Sequence, residues 1–137
     1  MRYLIDTQIL LWSMIDPQKL SPATRNILQS NEIFVSQITL FEIAIKQKIG
    51  KLPDFDLPID ILYSYIEQDG SNLLPLQKHH IAAYASVPLF SDHRDPFDRV
   101  LLANAMSENI IIISADANFP RYAKYIQIMM NSICSVD

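Results

Sequence analysis

Four carboxylates spread along the chain, Asp6, Glu42, Asp98 and Asp116, each fall beside the expected end of a secondary-structure element. Asp6 directly follows a short apolar strand, Arg2–Ile5, and precedes a helix. Glu42 lies about one turn into the helix after the strand Ile33–Ser36. Asp98 falls in the first turn of a helix opened by Pro96, and Asp116 stands just beyond the isoleucine-rich strand Ile110–Ser114. Ligands of open parallel sheets bind past the carboxyl ends of the strands, so these acids are expected at one edge. Like charges gathered there raise one another's pKa, and a divalent cation removes that penalty. Oxygen donors without a Cys/His ligand pattern favour Mg2+ or Mn2+. Such an ion can activate a water and stabilise charge on a transferring phosphate.

Each acid also has a purely structural explanation. Asp6 and Asp116 can cap the helices that follow them. Glu42 precedes Lys46 by four residues, the favourable order for a helical ion pair. Asp95-Pro96-Phe97-Asp98 reads as a helix start with Asp95 as N-cap. Capping is the simpler role for Asp95, while capping and catalysis account equally well for Asp98.

The elements that must position these residues alternate along the chain. After the first strand, a helix runs from about Thr7 to Ile15, with Pro17 beyond it. Ser21-Pro22 opens a helix to about Ser30, with Ser as N-cap and Pro in the first turn. The strand Ile33–Ser36 leads to a helix over Ile38–Ile49, whose Ile38, Phe41, Ile45 and Ile49 share a face. A loop holding Pro53 and Pro58 precedes a helix near Ile59–Gln68, a strand at Leu73–Leu76 and a helix at Lys78–Ser86. The loop Pro88–Arg94, the helix Pro96–Glu108, the strand Ile110–Ser114 and a last strand at Tyr125–Met129 complete the chain. Gly50 and Gly70 fit helix ends. Strands alternating with helices predict an α/β fold, a three-layer α/β/α sandwich around a mostly parallel sheet. With 137 residues the chain suits one domain, 1–137.

Composition narrows the function classes. The net charge of -4 argues against a general basic coat for nucleic acid, although clustered acids with a few local cations still suit a nuclease. Lys46, Arg94 and Arg99 are the candidates for holding phosphates, and Lys48 and Lys51 lie nearby. Tyr3 and Trp12 offer faces for base stacking, or simply belong to the core. The lone cysteine, Cys134, permits no internal disulfide and reads as a small apolar residue. No signal peptide or membrane span is legible, so the cytoplasm is the expected location. His79 and His80 are adjacent and lack zinc-ligand spacing; His93 lies in the loop before the site and could touch substrate, though a surface-loop residue is the simpler reading. A glycine-rich nucleotide loop and a G-x-S-x-G elbow are both missing.

Four blocks then coincide: M-R-Y-L-I-D-T-Q-I-L-L-W, V-S-Q-I-T-L-F-E-I-A-I-K-Q-K-I-G-K-L, H-R-D-P-F-D-R-V-L-L-A-N-A and I-I-I-S-A-D-A-N-F. In this order and spacing they resemble the VapC-like PIN-domain toxins over nearly the whole chain. The resemblance implies a PIN-like nuclease domain and Mg2+- or Mn2+-dependent endoribonuclease activity. Its acidic positions fall on Asp6, Glu42, Asp98 and Asp116, with Asp6, Asp98 and Asp116 as metal ligands and Glu42 binding directly or through water. Ser114 matches a supporting Thr or Ser position, and Asp95 belongs to the H-R-D-P-F-D-R block. Gln8 stands where many relatives carry His or Asn, and Ser114 replaces the commoner Thr. The resemblance also implies an RNA substrate, a VapB-like antitoxin partner, and often a homodimer. Two other readings remain open. In an aspartyl phosphatase Asp6 would be the nucleophile, though Gln8 stands where a second Asp is usual. In a non-enzymatic RNA- or protein-binding module the acids would be helix caps.

Overall fold

The computed structural model describes residues 1–132, and Cys134 lies outside them. The strands are β1 (Arg2–Ile5), β2 (Glu32–Ser36), β3 (Asn72–Leu74), β4 (Ile111–Ser114) and β5 (Ile128–Met130). The α-helices are α1 (Thr7–Ile15), α2 (Pro22–Ser30), α3 (Gln37–Lys48), α4 (Ile59–Gln68), α5 (Lys78–Ala83) and α6 (Pro96–Glu108). All strand pairings are parallel, in the order β3-β2-β1-β4-β5. The chain therefore builds outwards from β1 through β2 to β3, then returns to the other side of β1 to add β4 and β5. The reversal falls between β1 and β4, and open α/β sheets form their ligand crevice at such a switch point.

Side-chain alternation along the strands divides the core in two. Tyr3, Ile5, Ile33, Val35 and Ile113 pack with Ile9, Leu10 and Leu11 of α1, Leu40 and Ile43 of α3, and Leu62 and Ile66 of α4. Leu4 and Ile112 pack on the opposite face with Leu101, Leu102 and Ala105 of α6 and with Phe119, Tyr122 and Ile126. The expected three layers follow from this double-faced burial. Tyr3 is core, and Trp12 packs against it with Lys19 over its ring.

Local chemistry sets the boundaries. Ser21 accepts a hydrogen bond from the Thr24 N–H at the start of α2. Gly50 at φ 73° and Gly70 at φ 83° take the left-handed conformation that ends α3 and α4. Asn109 does the same after α6, at φ 52°, and the Ile110 N–H bonds back to the Ala105 carbonyl. Ile110 thus closes a helix end, and β4 begins one residue later than the hydrophobic run suggests. β3 stops at Leu74, ahead of Pro75, which has no N–H to give a ladder. The expected helix Lys78–Ser86 divides into α5 and a 3-10 turn over Tyr84–Ser86, and β5 lies further along than the expected Tyr125–Met129.

Ile112 has no exposed surface in the middle of the sheet. Replacing it with Ala is expected to cost about 2–5 kcal/mol, as for other large-to-small core changes. A urea titration showing a loss under about 1 kcal/mol would contradict this packing.

Candidate active site

The edge at the β1–β4 reversal is built by backbone first. The Asp6 N–H donates to the Ile113 carbonyl at 3.1 Å, which ties the start of α1 to the end of β4. Asp6 is then both buried and an N-cap, its Oδ1 accepting from the Ile9 N–H at 2.9 Å. Ser114, wholly buried at the end of β4, hydrogen-bonds the Asp6 side chain and accepts from the Asp116 N–H at 2.9 Å. One hydroxyl therefore connects two of the acids. Asp116 turns the following chain by accepting from the Asn118 N–H at 2.8 Å. The element that follows it is a 3-10 turn at Phe119–Tyr122, so the capping role expected there becomes an Asx turn.

Asp98, in the first turn of α6, completes the group. Burial holds the Asp6 carboxyl up at about 6, opposed by its bonds to Ser114 and Ile9 and reinforced by the charges of Asp98 and Asp116. Burial likewise pushes Asp98 up to about 6; a hydrogen bond from His93 opposes it, and Asp95 and Asp116 add repulsion. The three aspartates thus feel one another's charge.

Glu42 stands slightly apart. It is buried on α3, its Oε1 accepts from the Thr7 hydroxyl at 2.6 Å, and its Oε2 pairs with Lys46 at 2.8 Å. The helical ion pair expected from spacing is present, yet it does not send Glu42 to the surface. Thr7, adjacent to Asp6, links Glu42 to the aspartates. Lys46 remains partly exposed, and Arg94 is exposed. Asp95 is exposed and caps α6 through the Phe97 N–H at 2.9 Å.

Three expectations require correction. Arg99, a candidate for substrate, is only 3% exposed. Its guanidinium donates to the Pro88 carbonyl at 2.6 Å, the Val87 carbonyl at 3.0 Å and the Tyr84 hydroxyl at 3.1 Å, so it braces the 87–88 segment instead. His93 is buried, with Nδ1 2.7 Å from the Tyr122 hydroxyl and Nε2 3.1 Å from Asp98 Oδ2. Its proximity to Asp98 in the H-R-D-P-F-D-R block was the available signal. Adjacent His79 and His80 do converge, both reaching Glu108 Oε2, at 2.9 and 2.6 Å. The Gln77 N–H donates to His80 Nδ1, which leaves the ring proton on Nε2 and makes this a hydrogen-bonded clamp between α5 and α6.

Buried or half-buried carboxylates with few compensating donors are a poor resting arrangement and a good donor set for a hard divalent cation. Oxygen atoms dominate, and among the described residues His93 brings one ring nitrogen close to the carboxylates of Asp98 and Asp116. The chemistry of this donor set fits Mg2+ or Mn2+.

An α/β domain whose acids meet at the switch point of a parallel sheet is the class that fold and site define. A PIN domain family profile matches residues 3–125, and the chain belongs to that family. Its fold is similar to chains of VapBC2 from Rickettsia felis bound to promoter DNA (15% identity, TM-score 0.69, covering 95% of this chain and 98% of that one). Similar too are DNA-bound VapBC from Salmonella typhimurium (15%, 0.69, 96% and 99%) and VapBC-1 from nontypeable Haemophilus influenzae (16%, 0.63, 95% and 98%). At such identities the likeness concerns the fold. No curated protein matches the chain by sequence.

The raised Asp6 pKa has a stability consequence. The folded carboxyl holds its proton more tightly than the unfolded one, so this stabilising contribution is full below pH 3.8 and is lost as pH rises through about 6. Asp6→Asn keeps an acceptor for Ile9 and removes the charge. Without divalent cation it is expected to be more stable than wild type at about pH 7.5, by about 1–3 kcal/mol, with the difference vanishing towards about pH 4. Denaturation curves that coincide at both pH values would contradict the burial described.

Proposed function

We propose that this chain, acting as one nuclease domain, is a Mg2+- or Mn2+-dependent endoribonuclease and the toxin of a type II toxin–antitoxin pair of the VapC kind. The observation that carries the reading is the meeting of Asp6, Asp98 and Asp116 at the sheet's switch point in a PIN-family fold. These aspartates would hold the cation, with Glu42 contributing directly or through water. When bound, the cation supplies Lewis acidity, activating water and neutralising charge on the phosphate oxygens. Ser114 would keep Asp6 and Asp116 in register. Lys46 and Arg94 would attract the RNA backbone, and in-line hydrolysis would leave a 5′ phosphate and a 3′ hydroxyl.

The capping explanation does not exclude this chemistry, because Asp6 caps α1 with one oxygen while being buried beside two like charges. Pure caps have no need of that repulsion. A phosphatase with Asp6 as nucleophile is less well supported, since Gln8 occupies the usual second-acid position.

A similar fold from Mycobacterium tuberculosis is described as a member of the VapBC family of toxin–antitoxin systems, which supports a VapB-like antitoxin as partner. A groove of about 530 Å3, lined by Leu10, Met14 and Phe55 together with Asp54, Asp56 and Asp69, offers a surface of mixed apolar and acidic character for such a protein. Exposed Phe41 and Ile49 on and beside α3 offer surface for a second copy. Among the described residues no helix is long and apolar enough to cross a membrane, and we place the protein in the cytoplasm.

The test is cleavage of a mixed cellular RNA pool by purified, antitoxin-free protein with Mg2+, Mn2+ or excess EDTA. Cutting is expected with either metal, lost in EDTA, and reduced by about 100-fold or more in Asp98→Asn. Mapped fragments should begin with 5′ phosphates. Equal cutting by folded Asp98→Asn, or cutting that persists in EDTA, would contradict the mechanism.

A further inference from the structure

His93 belongs to the H-R-D-P-F-D-R block, yet the carboxylate scheme assigns it no task. It is buried and reaches the hydroxyl of Tyr122, in the 3-10 turn after β4. A neutral imidazole carries one N–H, so His93 cannot donate to Tyr122 and Asp98 at once. An ionised carboxylate only accepts, so Asp98 holds the ring proton on Nε2 and the Tyr122 hydroxyl donates to Nδ1. The ring proton faces Asp98 Oδ2 at 3.1 Å.

The surrounding loop holds this order in place. The His93 N–H donates to the Phe90 carbonyl at 3.1 Å. Asp92 pairs with Arg121 at 2.9 Å, and Arg121 lies over the Phe90 ring. The loop before α6 is thereby fastened to the turn that carries Tyr122.

We propose that Tyr122 and His93 form a positioning relay that fixes the His93 tautomer and pins Asp98 Oδ2, so that Asp98 keeps one orientation toward the cation it would hold. His93 is then a positioning residue, not a ligand. As a ligand, Nε2 would have to give up its proton, and with it the hydrogen bond to Asp98 Oδ2. Outer partners of this kind orient ligating groups and typically change metal affinity about 10- to 100-fold when removed. The inference rests on the cation-dependent nuclease reading.

The experiment joins two measurements on wild type, Tyr122→Phe, His93→Gln and His93→Leu. Nitrogen–proton NMR correlations of the histidine rings in cation-free protein report the tautomer. Wild type is expected to show Nε2–H at His93, and Tyr122→Phe to lose that preference. Mn2+ titration followed by calorimetry is expected to show binding weakened about 10- to 100-fold in Tyr122→Phe and His93→Leu. His93→Gln, which returns an N–H donor near the Nε2 position, should recover most of it. At saturating Mn2+, RNA KM should stay unchanged and kcat should fall. An Nδ1–H tautomer in wild type would overturn the relay. So would wild-type Mn2+ affinity in folded Tyr122→Phe, which carries the test if His93→Leu fails to fold. Wild type that neither binds Mn2+ nor cuts RNA would overturn the nuclease reading itself, and the relay with it.

Discussion

Repulsion among Asp6, Asp98 and Asp116 at the β1–β4 edge is the constraint around which this structure is organised. Two of these carboxyls are held up at about 6, mainly by burial, with like charges adding to the effect. The fold supplies partial relief through neutral donors: the Ser114 hydroxyl, the Ile9 and Asn118 N–H groups and the His93 ring. The Lys46 ammonium is committed to Glu42, at 2.8 Å. The aspartates therefore retain a deficit of positive charge, which a hard cation would meet.

What keeps the acids together despite that deficit is the rest of the domain. Burial on both faces of the sheet fixes β1 against β4, and with them the ends from which Asp6 and Asp116 project. Asp98 comes from α6, whose Leu101, Leu102 and Ala105 pack beneath the opposite face from α1. The acids thus arrive from elements on both sides of the sheet, and the core's apolar burial, at roughly 25 cal/mol per Å2, opposes their repulsion. Arg99 shows how far local bracing extends, since a full charge is buried to fasten the 87–88 segment to α6.

Much of the fold was legible because its signals are local. Ile110–Ser114 reads as a doubly buried strand, Ser21-Pro22 as a helix start, and Gly50 and Gly70 as helix ends. The strand order is non-local: the switch between β1 and β4 depends on how layers pack, which spacing alone does not state. At the site, Asp6, Asp98 and Asp116 could be picked out from their places after strands and at a helix start. For His93 the block gave only its nearness to Asp98, because its burial depends on Tyr122, 29 residues away in sequence. Arg99 misled for a related reason: a cation beside an acid on a helix start looks like a phosphate contact until the carbonyls of Val87 and Pro88 are seen to surround it. Glu42 shows that two explanations need not compete, since it pairs with Lys46 and still lies buried against Thr7.

The most direct test of the central claim is the position of a bound ion. Crystals of the protein soaked in Mn2+ and measured for anomalous scattering should show density between the carboxylates of Asp6, Asp98 and Asp116. A fully soaked crystal with no density there, or with density only at the His79–His80–Glu108 clamp, would contradict the account.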